Sequence, residues 1–318
     1  MNKQFKRAAV YRIVSVAFFI INHLPRRFTL FLGETLGLLT FRLVKKERMK
    51  ALTNLDRAYG KEISYREKYT IARQSFITFG RAALEAMRIR KHFHSQMYDN
   101  IEVVGRENFE RAYEKGKGII AFTGHFGNFE LLAAWVAQTG HKAAVIGREL
   151  YEKRLDALLI ANRTEMGIIN IKTDDSPRRI LQLLRDGYAT GFLIDTDSYR
   201  VAGELTPFFG RPAKTPIGPT QLGLVTKSAF MPMACLSLPG GKYRLIFGEE
   251  LTIDDYSRTR ENIYSITSRM TAKLEQIIRA YPEQWIWMHN RWHTRPEEDD
   301  YDFLNSQGLS VPIPKENS

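Results

Sequence analysis

A single cysteine in 318 residues, Cys235, excludes an intramolecular disulfide framework and any multi-cysteine metal site. It lies in the apolar run 229–238, where it reads as a buried small hydrophobe, and a reducing cytoplasm is the compatible compartment. The chain has no Gly-x-Ser-x-Gly, no Gly-x-Gly-x-x-Gly, no Gly-x4-Gly-Lys-Ser/Thr and no Cys-x-x-Cys. These absences argue against a serine hydrolase of the α/β type, a dinucleotide enzyme, a P-loop nucleotide enzyme and a zinc protein. There is no internal repeat and no low-complexity linker. Long apolar runs are scarce as well. Residues 8–24 are apolar apart from Arg12, Ser15, Asn22 and His23, and at 17 residues they reach only the lower limit for crossing a bilayer, for which ~20 is usual.

Acidic residues are few at the N-terminus. The net charge is +12, and residues 1–50 supply +9 of it, with eleven Lys and Arg against Glu34 and Glu47. A basic, apolar segment points to an anionic surface. Its cations alternate with aliphatic and aromatic runs and no nucleic-acid motif is present, so a membrane is the partner expected and nucleic acid is not. Segment 23–27, His-Leu-Pro-Arg-Arg, offers no small-residue cleavage site, which argues against a signal peptide. With the second apolar stretch, 28–44, residues 1–45 read as a membrane-anchoring part, either one short spanning helix or helices lying in the interface. Residues 46–318 then form the main domain.

From residue 100 onward, apolar runs of four to eight residues alternate with segments of helical spacing. Strands are expected at 101–104, 119–122, 143–146, 168–171, 189–194, 229–236 and 243–247, with helices at 128–139, 152–166, 217–227 and 258–280. Ser176 followed by Pro177 predicts the start of another helix, which ends at Asp186-Gly187. Two amphipathic helices are expected across 47–92. The pattern predicts an α/β fold, a mostly parallel central sheet flanked by helices, preceded by an N-terminal membrane-associated helix.

The chemistry concentrates at one junction. Segment 119–122 is a buried strand, Thr123 to Asn128 a turn holding two glycines, and the residues after it a helix. A polar turn between a strand and a helix lies at the rim of an α/β sheet, where ligands bind. His125 in this turn is a candidate general base, because its ordinary pKa lies near neutrality. Glu130 is expected to hold one imidazole nitrogen so that the other can take a proton from a hydroxyl. Asp195 and Asp197 follow a buried strand; without a third ligand in view they do not predict a metal. Neither do His289 and His293, which lack the intervening Glu-x-x, nor His92 and His94, which face opposite ways if extended. The loop from Pro207 through Gly210 to Gly218 either presents backbone amides to an anion or is simply rigid. The aromatic segment 285–293 either lines a mouth or fills the core.

Gly124-His125-Phe126-Gly127-Asn128-Phe129-Glu130 closely resembles the His-x4-acid motif of the bacterial lipid A late acyltransferases. Asn162-Arg163-x3-Gly167, Asp195-Thr196-Asp197, Pro207-Phe208-Phe209-Gly210 and Pro282-x2-Trp285-x-Trp287-x-His289-x-Arg291-Trp292 follow in that family's order and span about 100–295. The resemblance implies an O-acyltransferase at the cytoplasmic face of the inner membrane. It would take an acyl chain from acyl carrier protein to a hydroxyl of a lipid A precursor, with no cofactor. It also implies that His125 and Glu130 are catalytic and that Arg163, Asp195, Asp197, Gly210 and Arg291 contact substrate. The other reading of Arg163 and Asp195 is that they pair with each other. Thr196 stands where the family often has Gln, and Phe129 where Trp is common, which leaves a glycolipid or aminolipid acceptor open; a glycerol-phosphate-type acyltransferase also uses a His-x4-acid arrangement and is a rival, although that family typically carries Asp where this chain has Glu130. A catalytically silent membrane scaffold with this fold is the rival from another class.

Overall fold

Runs of aliphatic residues without polar alternation suit strands covered on both faces, and the chain uses them so. A computed structural model describes residues 3–150, 152–173 and 177–309. Its strands are β1 (Ile101–Val104), β2 (Ile119–Thr123), β3 (Ala143–Gly147), β4 (Ile168–Lys172), β5 (Ala189–Leu193), β6 (Gly203–Phe208), β7 (Arg211–Pro216), β8 (Ala229–Ser237) and β9 (Tyr243–Phe247). Seven form one sheet in the order β1-β9-β8-β2-β5-β3-β4, parallel except where β9 runs against β8. The α/β architecture with a mostly parallel sheet is therefore present. The helices are α1 (Lys3–His23), α2 (Arg26–Leu43), α3 (Lys45–Tyr59), α4 (Tyr65–Ala86), α5 (Ile89–His92), α6 (Arg106–Glu114), α7 (Phe129–Gln138), α8 (Lys153–Glu165), α9 (Pro177–Arg185), α10 (Gly218–Thr226), α11 (Arg260–Ala280) and α12 (Glu298–Ser306). The expected N-cap Ser176 lies outside the described residues.

Residues alternate between two cores along β2, as the period of a strand requires. Ile119 and Ala121 face α7 and pack with Leu131 and Trp135, whereas Ile120 and Phe122 enter the larger core with Phe230, Leu274 and Trp285. Trp285 and Trp287 are fully buried, so the aromatic segment belongs to the core. Cys235 is also fully buried, and burial pushes its thiol up to about 12.

The structure corrects one expectation. Loop 207–218 contains instead the turn and second strand of a hairpin, β6 paired antiparallel with β7. Phe209 (φ 51°) and Gly210 (φ 66°) both take left-handed conformations at its tip, the requirement of a tight two-residue turn. Of the two forms left open for the N-terminal segment, it takes that of two helices, separated at Pro25, which cannot donate a backbone N–H and stands at the N-cap of α2. Among the described residues no helix is long and apolar enough to cross a membrane.

α2 and α4 pack closely through glycine: a Cβ on Gly37 would lie 2.3 Å from the Phe76 carbonyl oxygen. The α1–α2 turn is also tied to the sheet by a buried ionic knot. Arg26 donates to the fully buried Glu85 through Nε (2.9 Å) and Nη2 (2.7 Å), and the Tyr243 hydroxyl donates to the same carboxylate at 2.7 Å. The outward faces of the two helices are apolar, with Ile13, Val16 and Phe19 exposed on α1 and Phe28, Phe31, Leu39 and Leu43 on α2.

Candidate active site

Strands β2 and β5 lie side by side and parallel, so their carboxyl ends bring His125 and Asp195 together. The ladder continues past β5, with the Ile194 amide donating to the Thr123 carbonyl at 3.0 Å. Two glycines let the β2–α7 turn close against its neighbours. A Cβ on Gly124 would come within 2.8 Å of Asp195 Oδ2, and one on Gly127, at φ +50°, would collide with the Cys235 carbonyl. Asn128 caps α7, its Oδ1 accepting from the Leu131 amide at 3.2 Å. The C-terminal segment pins the turn from outside: the Gly127 amide donates to the Gln284 carbonyl (2.8 Å) and the Ile286 amide to the His125 carbonyl (3.2 Å).

Asp195 is completely buried and accepts three hydrogen bonds: from His125 Nδ1 at 2.9 Å, from the His125 amide at 2.7 Å and from Trp285 Nε1 at 2.9 Å. A carboxylate only accepts, so His125 donates through Nδ1, and Nε2 is left with its lone pair. The ring is partly open to solvent, at 27% side-chain exposure. Burial alone would push the imidazole down. The charge and hydrogen bond of Asp195, helped by the charge of Glu130, outweigh it and raise His125 above its ordinary value. Burial likewise works against an ionised Asp195, yet His125, by charge and hydrogen bond, holds the carboxyl well below the usual carboxylate range. His289 Nε2 lies 2.9 Å from the Asp195 carbonyl oxygen and Nδ1 2.5 Å from the Ile286 carbonyl oxygen, and the ring lies 6.3 Å from that of His125.

Glu130 is placed differently from expectation. It forms a two-pronged ion pair with Arg163, whose Nε donates to Oε2 at 2.9 Å while Nη2 donates to Oε1. Arg163 Nη1 donates in turn to Asn170 Oδ1 at 2.6 Å. The carboxylate that holds the imidazole is thus Asp195, and Arg163 pairs with Glu130 rather than with Asp195. The physical reason is direction: Glu130, in the first turn of α7, faces the planar fork of Arg163 on α8, a better match to a carboxylate than a ring edge. Glu130 acts on His125 through its charge.

The remaining expected residues lie further out. Asp197 accepts from the amides of His293 (2.9 Å) and Thr294 (2.7 Å) and from the Thr294 hydroxyl (2.6 Å), so it fastens the C-terminal segment. Gly210 forms the tip of the β6–β7 hairpin. Arg291, almost fully buried, braces that hairpin by donating to the Lys214 carbonyl (2.5 Å) and the Thr215 hydroxyl (2.7 Å), its guanidinium 4.8 Å from the Phe208 ring centroid. Burial depresses its guanidinium to about 10. Sequence reasoning did not single out the roles of Trp285 and His289 at Asp195; their place in the Trp-x-Trp-x-His pattern was the available signal.

An apolar cavity runs between α7 and the sheet. Its walls are apolar, among them Leu132, Val136, Ala144 and Met233, and the polar side chains along it are Thr123, Glu130 and Arg163. Since α7 leaves the site and runs back under the sheet, the cavity leads from the His125 end toward Val136 and Ala189. The step from Leu193 to Ala189 alone is ~13 Å of strand. Phe129 lines the cavity and stands edge-on to His125, ring centroids 5.4 Å apart.

A carboxylate-held histidine at the carboxyl end of a parallel strand, close to an apolar cavity, is the arrangement of an α/β enzyme site with a general base. Residues 3–294 match the family model described as bacterial lipid A biosynthesis acyltransferase, and the chain belongs to that family. The lipid A biosynthesis palmitoleoyltransferase of Escherichia coli K12 is 25% identical over 287 residues, 86% of this chain and 87% of the relative, and the lauroyltransferase of the same strain is 24% identical, covering 84% and 85%. A phosphatidylinositol mannoside acyltransferase of Mycolicibacterium smegmatis is 21% identical over 226 residues, 70% of this chain and 72% of the relative. The protein is therefore an acyltransferase of a lipid-directed family.

Proposed function

We propose that this protein transfers a fatty acyl chain from acyl carrier protein to a hydroxyl of a lipid A precursor at the cytoplasmic face of the inner membrane. The observation that carries the reading is the His125–Asp195 pair, with Nε2 free, next to Phe129 in the wall of an apolar cavity. The acceptor hydroxyl gives its proton to His125 Nε2 as its oxygen attacks the thioester carbonyl. Asp195 stabilises the imidazolium formed. The tetrahedral intermediate then expels the thiolate, which takes the proton from Nε2, leaving an ester and a free thiol. No cofactor enters the scheme. The cavity receives the acyl chain, and the Glu130–Arg163 pair keeps α7 and α8, and so the mouth, in register.

Membrane association is supported by the exposed apolar faces of α1 and α2, bordered by Arg27, Arg42, Lys45 and Lys46. A second acceptor class, a glycolipid, is favoured by the similarity to mycobacterial phosphatidylinositol mannoside acyltransferases. The deciding experiment measures transfer of labelled acyl groups from acyl carrier protein to a tetra-acylated lipid A precursor and, in parallel, to a mannosylated phosphatidylinositol. Product on the former that disappears in His125→Ala supports the proposal. Product on the latter alone replaces the acceptor, and no product on either overturns the reading.

A further inference from the structure

The acyl-transfer reading leaves one group in the cavity unexplained. Thr123, the last residue of β2, is 93% buried, and its hydroxyl has no hydrogen-bond partner. Burying a hydroxyl without a partner is unfavourable, and such groups in native structures call for a ligand or a reason. The other two polar side chains in the cavity wall, Glu130 and Arg163, are partnered with each other. Thr123 is thus the cavity-lining side chain whose donor is unused.

Its placement gives that donor a target. Strand alternation aims Thr123, with Ala121, toward α7 and the cavity, and Thr123 sits at the His125 end. Its carbonyl is locked into the β2–β5 ladder by the Ile194 amide, and its branched side chain has few rotamers, so the hydroxyl is held in place before any substrate arrives. An acyl chain lying in the cavity with its carbonyl carbon within reach of His125 Nε2 must bring the carbonyl oxygen to this same end.

We infer that Thr123 is a catalytic residue whose hydroxyl donates a hydrogen bond to the thioester carbonyl oxygen and stabilises the charge that develops there. This rests on the acyl-transfer reading. The Thr123 proton is not transferred: the acceptor's C–O bond forms, the C–S bond breaks, and the one moving proton travels from the acceptor hydroxyl to Nε2 and on to the leaving sulfur. The donor acts on the transition state, where the oxygen is most negative.

The test uses the full-length protein with acyl carrier protein thioester and the acceptor on which wild type is active. Thr123→Val keeps the shape and removes the donor. Thr123→Ser keeps the donor. Thr190 is the internal control, since its hydroxyl is equally buried and unpartnered but lies on β5 outside the cavity lining. The inference predicts that Thr123→Val lowers kcat by about 10²-fold with KM changed less than about threefold and a melting temperature no lower than wild type. Thr123→Ser should recover most of the rate, and Thr190→Val should leave it unchanged. Wild-type kcat in Thr123→Val, or a loss shared by Thr190→Val, overturns the inference while leaving the acyl-transfer reading intact. A lowered melting temperature in Thr123→Val that accounts for its loss of rate overturns it too, by making the role structural. Absence of any wild-type turnover on every acceptor overturns both.

Discussion

Two acid–base pairs flank the β2–α7 turn, and they differ in what their bases can do. Asp195 holds an imidazole, partly open to solvent, whose pKa it raises above the ordinary value. Glu130 holds a guanidinium in a two-pronged ion pair. The first pair can move a proton, whereas the second can only fix geometry and contribute charge. Sequence proximity joined Glu130 to His125; space joins Asp195 to His125 across 70 residues.

Removing the base should break the proton-moving side most completely. His125→Ala is expected to lower acyl transfer by about 10³-fold with the circular dichroism spectrum retained, since the ring is on a turn and partly exposed. Asp195→Asn should come next, lowering kcat by about 10²-fold through loss of imidazolium stabilisation. It should also change stability with pH. Because the Asp195 pKa is lowered on folding, its contribution is fully present above the unfolded carboxyl value of ~3.9 and disappears as pH falls through the lower folded value. Acid melting curves of wild type and Asp195→Asn should therefore converge at low pH.

On the other side, Glu130→Ala leaves Arg163 buried and unpaired, which should destabilise the fold by about 3–5 kcal/mol in denaturant titration, while Glu130→Ala with Arg163→Met should recover much of that. A full recovery of transfer in the double variant would assign Glu130 a purely structural part. Val136→Trp, at the far end of the cavity, should cost about 1–3 kcal/mol and shift donor preference to shorter chains in competition between two acyl carrier protein thioesters. The smallest effect on stability, within about 0.5 kcal/mol, is expected for Phe31→Glu with Leu43→Glu on the outer face of α2. That pair should weaken binding to anionic vesicles in a flotation assay.

Much of the architecture could be read from the sequence because it rests on local pattern. The apolar runs at 119–122 and 189–194, the first preceded by Gly118 and the second following Asp186-Gly187-Tyr188, become β2 and β5, and the glycine-framed turn at His125 falls where a βα junction requires it. The β6–β7 hairpin escaped because Pro207, Pro212 and Pro216 interrupt its strands. A two-stranded ribbon tolerates them, since each strand has an unpaired outer edge where a missing N–H costs nothing. His125, Asp195, Glu130 and Arg163 were all visible as chemically capable residues. Their pairing was not, because hydrogen-bond partners are set by which strands lie side by side and by which way the first turn of α7 faces. Asp197, Gly210 and Arg291 stood in the same motifs, yet they secure the C-terminal segment and the hairpin.

The most direct test of the central claim, that Asp195 holds His125 as the base, is the pH dependence of kcat/KM for wild type, Asp195→Asn and Glu130→Gln. Its acid limb reports the imidazole in the free enzyme. Asp195 raises the His125 pKa, so removing its charge should move that limb to lower pH, and removing the more distant Glu130 charge should move it less in the same direction. A limb that stays in place in Asp195→Asn but moves in Glu130→Gln would contradict the account and return the imidazole to Glu130.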